Sequence, residues 1–439
     1  MIRTIRRKFL VTSAVTAVAA LSLSVMPAQA ISPRSEIGVT STTIKLGITL
    51  PMTGSASFGY KELPGAMKAY FDYVNANGGV NGRKISLVVK NDAYLPKQAI
   101  QNTQDLIGKD KVFAIVGALG TANNKAVASA VNLGRRGIPS LFVNTGFSGF
   151  ADRKKFPTSN TILPSYIMEA KMIGKYVNET YPNKKACLLY QDDDFGDDAL
   201  VGFDKAYGNL DFTTKIAYPS LSQGVPGVPD NWVSKFKTAG CEVQIVFGVA
   251  TATLYTVQAA AKIGYAPKWI LGSVGADIPS IDPRTVPYII GATSVSFMPS
   301  VVDPKDEYVE QFKEINTKYN SDYKPGAKFT SWQLIGMNTA FVAVQALQSA
   351  GKNLTRKSLL AAIDNNGSKF ASAGLVPLNY SKTSTVGYNG YWFGTFNSSG
   401  DLVPNSTFTY APYTTDSGTG AVVKSTYSRP KMPAKGLPN

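Results

Sequence analysis

Apolar residues along this chain alternate between two spacings, short continuous runs and longer stretches with helical periodicity. Residues 44–50 (IKLGITL) predict a first strand, and residues 65–75 carry apolar side chains at helical spacing before the terminator Asn77-Gly78-Gly79. Residues 112–117 (VFAIVG) form a near-continuous apolar run, which is expected of a strand covered on both faces. The same patterns predict strands at 84–90 and 139–143 and helices at 96–107 and 123–133. Strands that alternate with such helices predict βαβ units around a parallel sheet.

The alternation then repeats. It predicts helices at 168–181, 197–207, 232–239 and 251–263, strands at 186–190, 242–247 and 269–271, and later helices at 308–319, 332–350 and 358–365 before a strand at 390–396. Two successive doubly wound parallel sheets follow from this order, so the predicted fold class is α/β with two lobes. Residues 412–439 form a polar, basic tail that we expect to pack poorly.

The first thirty residues have the three-part layout of a secretory signal peptide. Arg3, Arg6, Arg7 and Lys8 form a basic start, residues 10–26 are apolar or small, and Ala28-Gln29-Ala30 is a cleavage signal. The alternative is an uncleaved anchor, but the apolar stretch falls short of the ~20 residues of a spanning helix. The Arg pair also resembles a twin-arginine export motif, and no cysteine lies nearby for a lipid anchor. We therefore expect a periplasmic or secreted protein with residues 1–30 removed.

Length and charge further limit the class of protein that this chain can be. Cleavage after Ala30 leaves 409 of the 439 residues, which favours two domains. The remaining chain has 41 basic and 29 acidic residues, a net charge of +12. These basic residues are scattered, unlike those of a nucleic-acid binder, so they indicate only a bias towards anionic ligands or surfaces.

The sequence contains no histidine, which excludes Ser-His and Cys-His catalysis and histidine zinc sites. Its two cysteines, Cys187 and Cys241, form either one disulfide or two buried thiols. The acids between Asp192 and Asp198 do not have the spacing of an EF-hand calcium loop, and we interpret them as a solvated rim and a helix N-terminus. No metal, no cofactor and no enzymatic activity are therefore expected.

The order and spacing of several motifs resemble those of one family. They are IKLG at 44–47, PMTG at 51–54, VNANGGVNG at 74–82, ND at 91–92 with PKQA at 96–99, VGALGT at 116–121 and YQDDDFG at 190–196. Between about residues 43 and 400 the chain resembles the leucine/isoleucine/valine-binding-protein family of ABC importer components, which has the type I periplasmic binding fold. The resemblance rests on order and spacing, since no single motif is specific.

The resemblance implies two lobes joined by three crossings, with ligand held in a hinged cleft. Lobe one would comprise residues 43–161 plus 298–388, and lobe two residues 162–297 plus 389–411. It also implies a monomer whose partners are a small-molecule ligand and the permease and ATPase subunits of an ABC transporter.

Ligands of open α/β sheets bind beyond the carboxyl ends of strands. Gly120, Thr121 and Ala122 lie at such a place, between a buried strand and a helix, where a hydroxyl and free helix amides can hold a carboxylate. The alternative is a plain helix cap. In the family this position binds the ligand carboxylate, and Thr121 replaces a Ser. The next loop, Asn144-Thr145-Gly146, corresponds to a family loop that supplies a carbonyl and a hydroxyl, with Gly146 where the family has Thr.

Four further positions follow from the resemblance. Phe58 and Phe195 match aromatic wall residues, although either could be ordinary core. Val249 stands where a Tyr is expected, and Val274 stands where amino-acid binders carry the Glu that pairs with the ligand ammonium. Because a buried ammonium needs a partner, either Asp194 or Asp277 replaces that Glu, or the ligand has no ammonium.

The sequence therefore predicts a binding protein for a carboxylate-bearing ligand, either an aromatic or aliphatic acid or a branched-chain-type amino acid. A ligand-sensing module is the alternative, because the same fold serves both uses. No kinase, DNA-binding motif or membrane span follows the lobes to support sensing.

Overall fold

The computed structural model describes residues 36–220, 230–324 and 326–438. The predicted signal peptide at residues 1–30 lies outside the described residues. The first sheet is wholly parallel, with strand order β2-β1-β3-β4-β5, which is a doubly wound order. Its strands are β1 (Thr43–Leu50), β2 (Lys84–Asn91), β3 (Ala114–Val116), β4 (Ser140–Val143) and β5 (Ser159–Thr161).

The second sheet has a parallel core and an antiparallel edge. Strands β7-β6-β8-β9-β10 run parallel, and β11 then pairs antiparallel with β10 and carries the short strands β12, β13 and β14 on one side of the sheet. These strands are β6 (Ala186–Asp192), β7 (Thr214–Pro219), β8 (Val243–Phe247), β9 (Lys268–Leu271), β10 (Thr293–Ser296), β11 (Gly390–Phe396), β12 (Leu402–Val403), β13 (Tyr413–Thr414) and β14 (Val423–Lys424).

Eleven helices of the described residues pack around these sheets. They are α1 (Leu63–Ala76), α2 (Pro96–Gly108), α3 (Thr121–Ala130), α4 (Tyr166–Thr180), α5 (Asp194–Phe203), α6 (Asp230–Thr238), α7 (Ala250–Lys262), α8 (Val286–Ile289), α9 (Glu307–Tyr319), α10 (Ser331–Ser349) and α11 (Arg356–Asn366). Helices α1–α3 and α9–α11 pack with the first sheet, and α4–α8 with the second. We refer to each sheet with its helices as lobe one and lobe two. The lobe boundaries predicted from the sequence stay a prediction.

Up to β11 the chain passes between the lobes three times, between β5 and α4, between β10 and α9, and between α11 and β11. The fold class predicted from the sequence is confirmed. Helix starts follow local chemistry: the Asp306 side chain accepts two amides at the start of α9, and Thr330 and Gln333 form a capping box on α10. In the described part of the chain, no helix combines the length and apolar character needed to span a membrane.

Cys187 and Cys241 form a disulfide, with their Cα atoms 5.8 Å apart. This confirms the bonded alternative. The bridge joins β6 to the residues just before β8, its neighbour in the sheet. It therefore fastens the centre of the second sheet.

The expectation that the tail packs poorly is wrong. Residues 413–424 contribute β13 and β14 to the second sheet, and Lys171 of α4 pairs with Asp416 at 3.1 Å. Residues 429–438 instead bind lobe one, where the Tyr70 hydroxyl donates to the Gly436 carbonyl at 2.7 Å. We call residues 412–438 the C-terminal strap, because they contact both lobes. Isolated side chains such as Tyr70, Lys171 and Arg429 make these contacts, and composition alone does not reveal them.

Candidate functional site: a cavity between the two lobes

The turn from β3 into α3 forms one end of a cavity. Gly120 precedes the helix with φ of 102°, and a Cβ there would lie 2.9 Å from the Tyr94 ring, so the turn requires glycine. Thr121 is buried, lines the cavity and forms a 2.7 Å hydrogen bond between its hydroxyl and that of Thr145. The first amides of a helix have no partner within the helix. The N-terminus of α3 can therefore accept an anion beside the Thr121 hydroxyl.

The turn after β4 supports this end. Asn144 lines the cavity, and its side-chain amide donates to the Gly117 carbonyl at 3.0 Å. The backbone carbonyl of Asn144 accepts a hydrogen bond from the Gly120 amide. Thr145 is fully buried and does not line the cavity, but it orients the Thr121 hydroxyl. The two turns are thereby fixed against each other.

Ala122 and Gly146 do not line the cavity. Ala122 is half-buried in the first turn of α3. A Cβ on Gly146 would lie 2.3 Å from the Pro164 carbonyl oxygen, and the Gly146 carbonyl accepts from the Tyr166 amide at 2.8 Å. Gly146 thus allows β4 and the first interlobe crossing to approach each other closely.

Aromatic side chains form much of the wall. Tyr60, Tyr94, Tyr166 and Phe195 line the cavity, and the rings of Tyr166 and Phe195 are 4.4 Å apart. The assignment of Phe58 to this wall is wrong, because it is 38% exposed and does not line the cavity. Tyr60, two residues later, takes that place. Phe58 sits at the end of a short 3-10 turn, and this turn directs Tyr60 inward instead.

Burial raises the pKa of the Tyr60, Tyr94 and Tyr166 hydroxyls above the ordinary value. These phenols therefore remain neutral at physiological pH and can act as hydrogen-bond donors. The Tyr60 hydroxyl already donates to the Val274 carbonyl at 3.3 Å, across the two lobes.

Lobe two contributes an apolar wall. Val249 and Val274 both line the cavity. The loop that carries Val274 is held by Glu169, a buried residue of α4 that accepts from the Ser273 amide at 2.6 Å and the Ser273 hydroxyl at 2.8 Å. Tyr391 also donates to Glu169, at 2.9 Å. Burial raises the pKa of Glu169. Its two carboxylate oxygens accept the hydrogen bonds from Ser273 and Tyr391, and these bonds fix the loop. The position of Glu169 in an ordinary amphipathic helix gave no sequence signal of this role.

The two acids considered as replacements for the missing Glu are placed differently. Asp194 does not line the cavity and pairs with Lys125 at 2.7 Å. Asp277 lines the cavity and accepts a hydrogen bond from the Ser331 hydroxyl. Burial raises the pKa of Asp277. Of the two, only Asp277 is in a position to meet a ligand ammonium.

The acids at the start of α5 form part of the contact between the lobes. Asp193 is the N-cap residue of α5, and its side chain accepts a hydrogen bond from the Phe195 amide. Asp192 and Asp197 are exposed, but Asp198 is buried, so the interpretation as a solvated rim is wrong for Asp198. Asp198 accepts from the Ser148 amide at 2.6 Å and the Ser148 hydroxyl at 2.7 Å. Burial raises the pKa of Asp198 to about 6.

These contacts show that the lobes meet around the cavity. Ser148 and Lys125 belong to lobe one, whereas Asp198 and Asp194 belong to lobe two. The space open to the centre of a water-sized sphere measures about 130 Å³. Within the described residues, no group of three or more metal-ligating side chains is placed to hold an ion.

Comparisons with known proteins agree with this architecture. A family model described as "Periplasmic binding protein" matches residues 43–401. A Leu/Ile/Val-binding protein homolog 7 of Brucella abortus is 24% identical over 348 residues, which cover 75% of this chain and 84% of that protein.

Two solved structures have the same fold. A fatty acid ABC transporter substrate-binding protein from Thermomonospora curvata superposes with a TM-score of 0.70 at 19% identity, covering 85% of this chain and 95% of that one. A solute-binding protein of an R. palustris ABC transporter, in complex with 4-hydroxybenzoate, superposes with a TM-score of 0.69 at 17% identity. The match covers 88% of this chain and 98% of that one.

Proposed function

Because this chain belongs to the periplasmic binding protein family, we propose that it is the extracytoplasmic solute-binding component of an ABC importer and holds a small carboxylate-bearing ligand between its lobes. The observation that carries the proposal is the pairing of an anion-accepting helix start with an otherwise largely apolar cavity. The carboxylate binds at Thr121 and the first amides of α3, beside Asn144. The rest of the ligand contacts Tyr60, Tyr166 and the residues beyond them.

The ligand is an aromatic or aliphatic acid in preference to a branched-chain amino acid. Val249 and Val274 offer no partner for an ammonium group, and Asp194 is paired with Lys125. Structural neighbours named for a fatty acid and for 4-hydroxybenzoate support acids as ligands in this fold. Asp277 is the counter-charge that an amino-acid ligand would require.

The protein acts by binding and release, without catalysis. The family consists of substrate-binding proteins, and this chain has no histidine to serve a nucleophile. Residues 1–30 direct export and are removed after Ala30. The mature monomer delivers its ligand to permease subunits driven by an ATPase.

A calorimetric comparison of matched pairs tests this proposal. Leucine and 4-methylpentanoate differ only in the ammonium group, as do phenylalanine and 3-phenylpropanoate. We expect the two acids to bind more tightly than the two amino acids. Tight binding of leucine without binding of its deaminated partner would overturn the ligand class, and Asp277→Asn would then be expected to abolish leucine binding. Failure of all four to bind would overturn the carboxylate site.

A further inference from the structure

The cavity continues well beyond its anion-accepting end. Its far part includes six apolar residues, which we call the annex: Val295, Phe297, Met298, Ile335, Phe396 and Leu402. Ser300, Trp392 and Asp401 line the cavity beside them. The annex residues come from β10 and the crossing that follows it, from the first turns of α10, and from the hairpin of β11 and β12. None of these positions was predicted as a ligand contact.

Strand pairing shows which way the annex runs. Ligand-binding turns lie at the carboxyl ends of the parallel strands, and Ser296 ends β10 on that side. Phe396 lies at the other end of β10: its amide donates to the carbonyl of Ala292, the residue just before that strand. Leu402 pairs with Phe396 and therefore lies at the same end. From Ala292 to Ser296 the strand rises by roughly 13 Å, at about 3.3 Å per residue. The annex therefore extends along the second sheet, away from the anion-accepting end.

Several polar groups near the annex are paired with each other, but the Ser300 hydroxyl and the Trp332 indole N–H, which also line the cavity, have no hydrogen-bond partner among the described residues. Ser296 and the Trp392 indole both donate to the Met298 carbonyl, at 2.9 Å and 2.7 Å. At the outer end, Lys328 of lobe one faces Asp401 of lobe two at 3.8 Å. The Ser300 hydroxyl and the Trp332 N–H are neutral, so they can hydrogen-bond a polar atom of a ligand but cannot pair with a second charged group. Hydrocarbon is the chemistry that fits the annex.

We propose that the annex holds the hydrocarbon tail of an extended monocarboxylic acid whose carboxylate is bound at Thr121. This inference rests on the proposed function and deepens it, because it selects long acids over compact ones. The hydrocarbon tail also contacts Phe297 and Met298, which lie on a crossing between the lobes.

Calorimetry with straight-chain acids from butanoate to dodecanoate, together with benzoate, tests the annex. Full burial of each methylene tightens the dissociation constant about fourfold. We expect such steps until the annex is full and a plateau for longer chains. Ile335→Trp and Leu402→Trp place bulk in the annex from half-buried positions, and they should move the plateau to shorter chains while butanoate and benzoate bind as before. Ile290→Trp, at an exposed residue outside the cavity, is the matched control.

The outcomes separate the two proposals. Equal affinity for short and long acids would overturn the annex inference and leave the carboxylate site intact. An unchanged plateau in both tryptophan variants, each folded by circular dichroism, would also overturn it. If no acid in the series binds, both the proposed function and this inference fail.

Discussion

Thr121 is the residue on which the proposed anion site most depends. Its hydroxyl is buried in the cavity wall and is held by Thr145 at 2.7 Å. Thr121→Ala should weaken binding of a carboxylate ligand by roughly 1–3 kcal/mol, the range for a lost hydrogen bond to a charged group. Thr121→Ser keeps the hydroxyl and should bind nearly as the native protein does. Titration calorimetry of both variants checks this, and equal affinity of Thr121→Ala and the native chain would move the carboxylate elsewhere.

Asp92 gives a residue-scale prediction about pH. It is fully buried, accepts from the Thr49 hydroxyl at 3.0 Å and the Tyr94 amide at 2.9 Å, and has a pKa raised by burial to about 6. Since the unfolded carboxyl titrates near 3.8, the folded state holds more protons between about pH 4 and 6. The contribution of Asp92 to stability must therefore fall as pH rises through that window.

Asp92→Asn should remove this contribution. The native free energy of unfolding should decline relative to that of the variant between about pH 4 and 6, by no more than ~3 kcal/mol, and the difference should level off above that range. Urea unfolding at a series of pH values measures it. Parallel pH profiles for the two proteins would show that Asp92 does not titrate in this way.

The sequence located parts of the cavity and missed others for identifiable reasons. Thr121 and Asn144 were found because turns after buried strands form ligand sites in any open α/β sheet. Tyr60 was missed in favour of Phe58, since the path of a short turn decides which aromatic side chain faces inward. The annex was missed entirely, because strand pairing brings together residues more than 100 positions apart, such as Phe396 and Ala292, which precedes β10.

At the scale of elements, helix α5 contacts lobe one twice, through Lys125 of α3 and through Ser148 of the turn after β4. Asp198 is buried against Ser148, whereas its neighbour Asp197 is exposed on the same helix. We expect Asp198→Ala to weaken ligand binding about tenfold, because closure would leave the Ser148 amide without its acceptor. Asp197→Ala is the control and should leave affinity unchanged. Calorimetry with one bound acid measures both, and equal losses in the two variants would indicate a general charge effect.

Elements with strong periodicity were predicted to within a few residues, whereas six strands of the described residues, β5, β7, β10, β12, β13 and β14, were not predicted. Strand β11 agrees at both ends, and β1 and α2 differ by one residue at one end. Of the six missed strands, β5, β7 and β10 read SNT, TKIAYP and TSVS, which have no apolar run longer than three residues. They form because a neighbouring strand supplies the hydrogen bonds. The local sequence does not show which strand will lie beside them, so local propensity cannot predict them.

At the scale of the whole molecule, the C-terminal strap joins lobe two to lobe one outside the three crossings. Its main polar anchor is Arg429, which pairs with Asp306 at 2.7 Å, donates to the Ala373 carbonyl at 2.8 Å and lies over the Tyr308 ring. Both partners of the ion pair are largely buried. Removing one partner of a buried pair leaves an uncompensated charge.

We therefore expect Arg429→Ala to lower the free energy of unfolding by about 3 kcal/mol. Arg284→Ala, which removes a solvent-exposed arginine paired with Asp282, should have no measurable effect. Urea unfolding of both variants checks the difference. Similar stability of the two would show that the strap is not anchored through Arg429.

The strap also bears on the order in which the molecule assembles. Its contacts join residues far apart in the chain: Lys171 meets Asp416 across 245 positions, and Tyr70 meets Gly436 across 366. Contacts of such long range slow folding, because the loop must close before any interaction compensates for the lost chain entropy. The strap should therefore dock late, after the parallel strands of both sheets have paired. Until it does, the helix surface around Tyr70 and Tyr308 remains uncovered, and that interval is when the newly folded chain is most prone to aggregate.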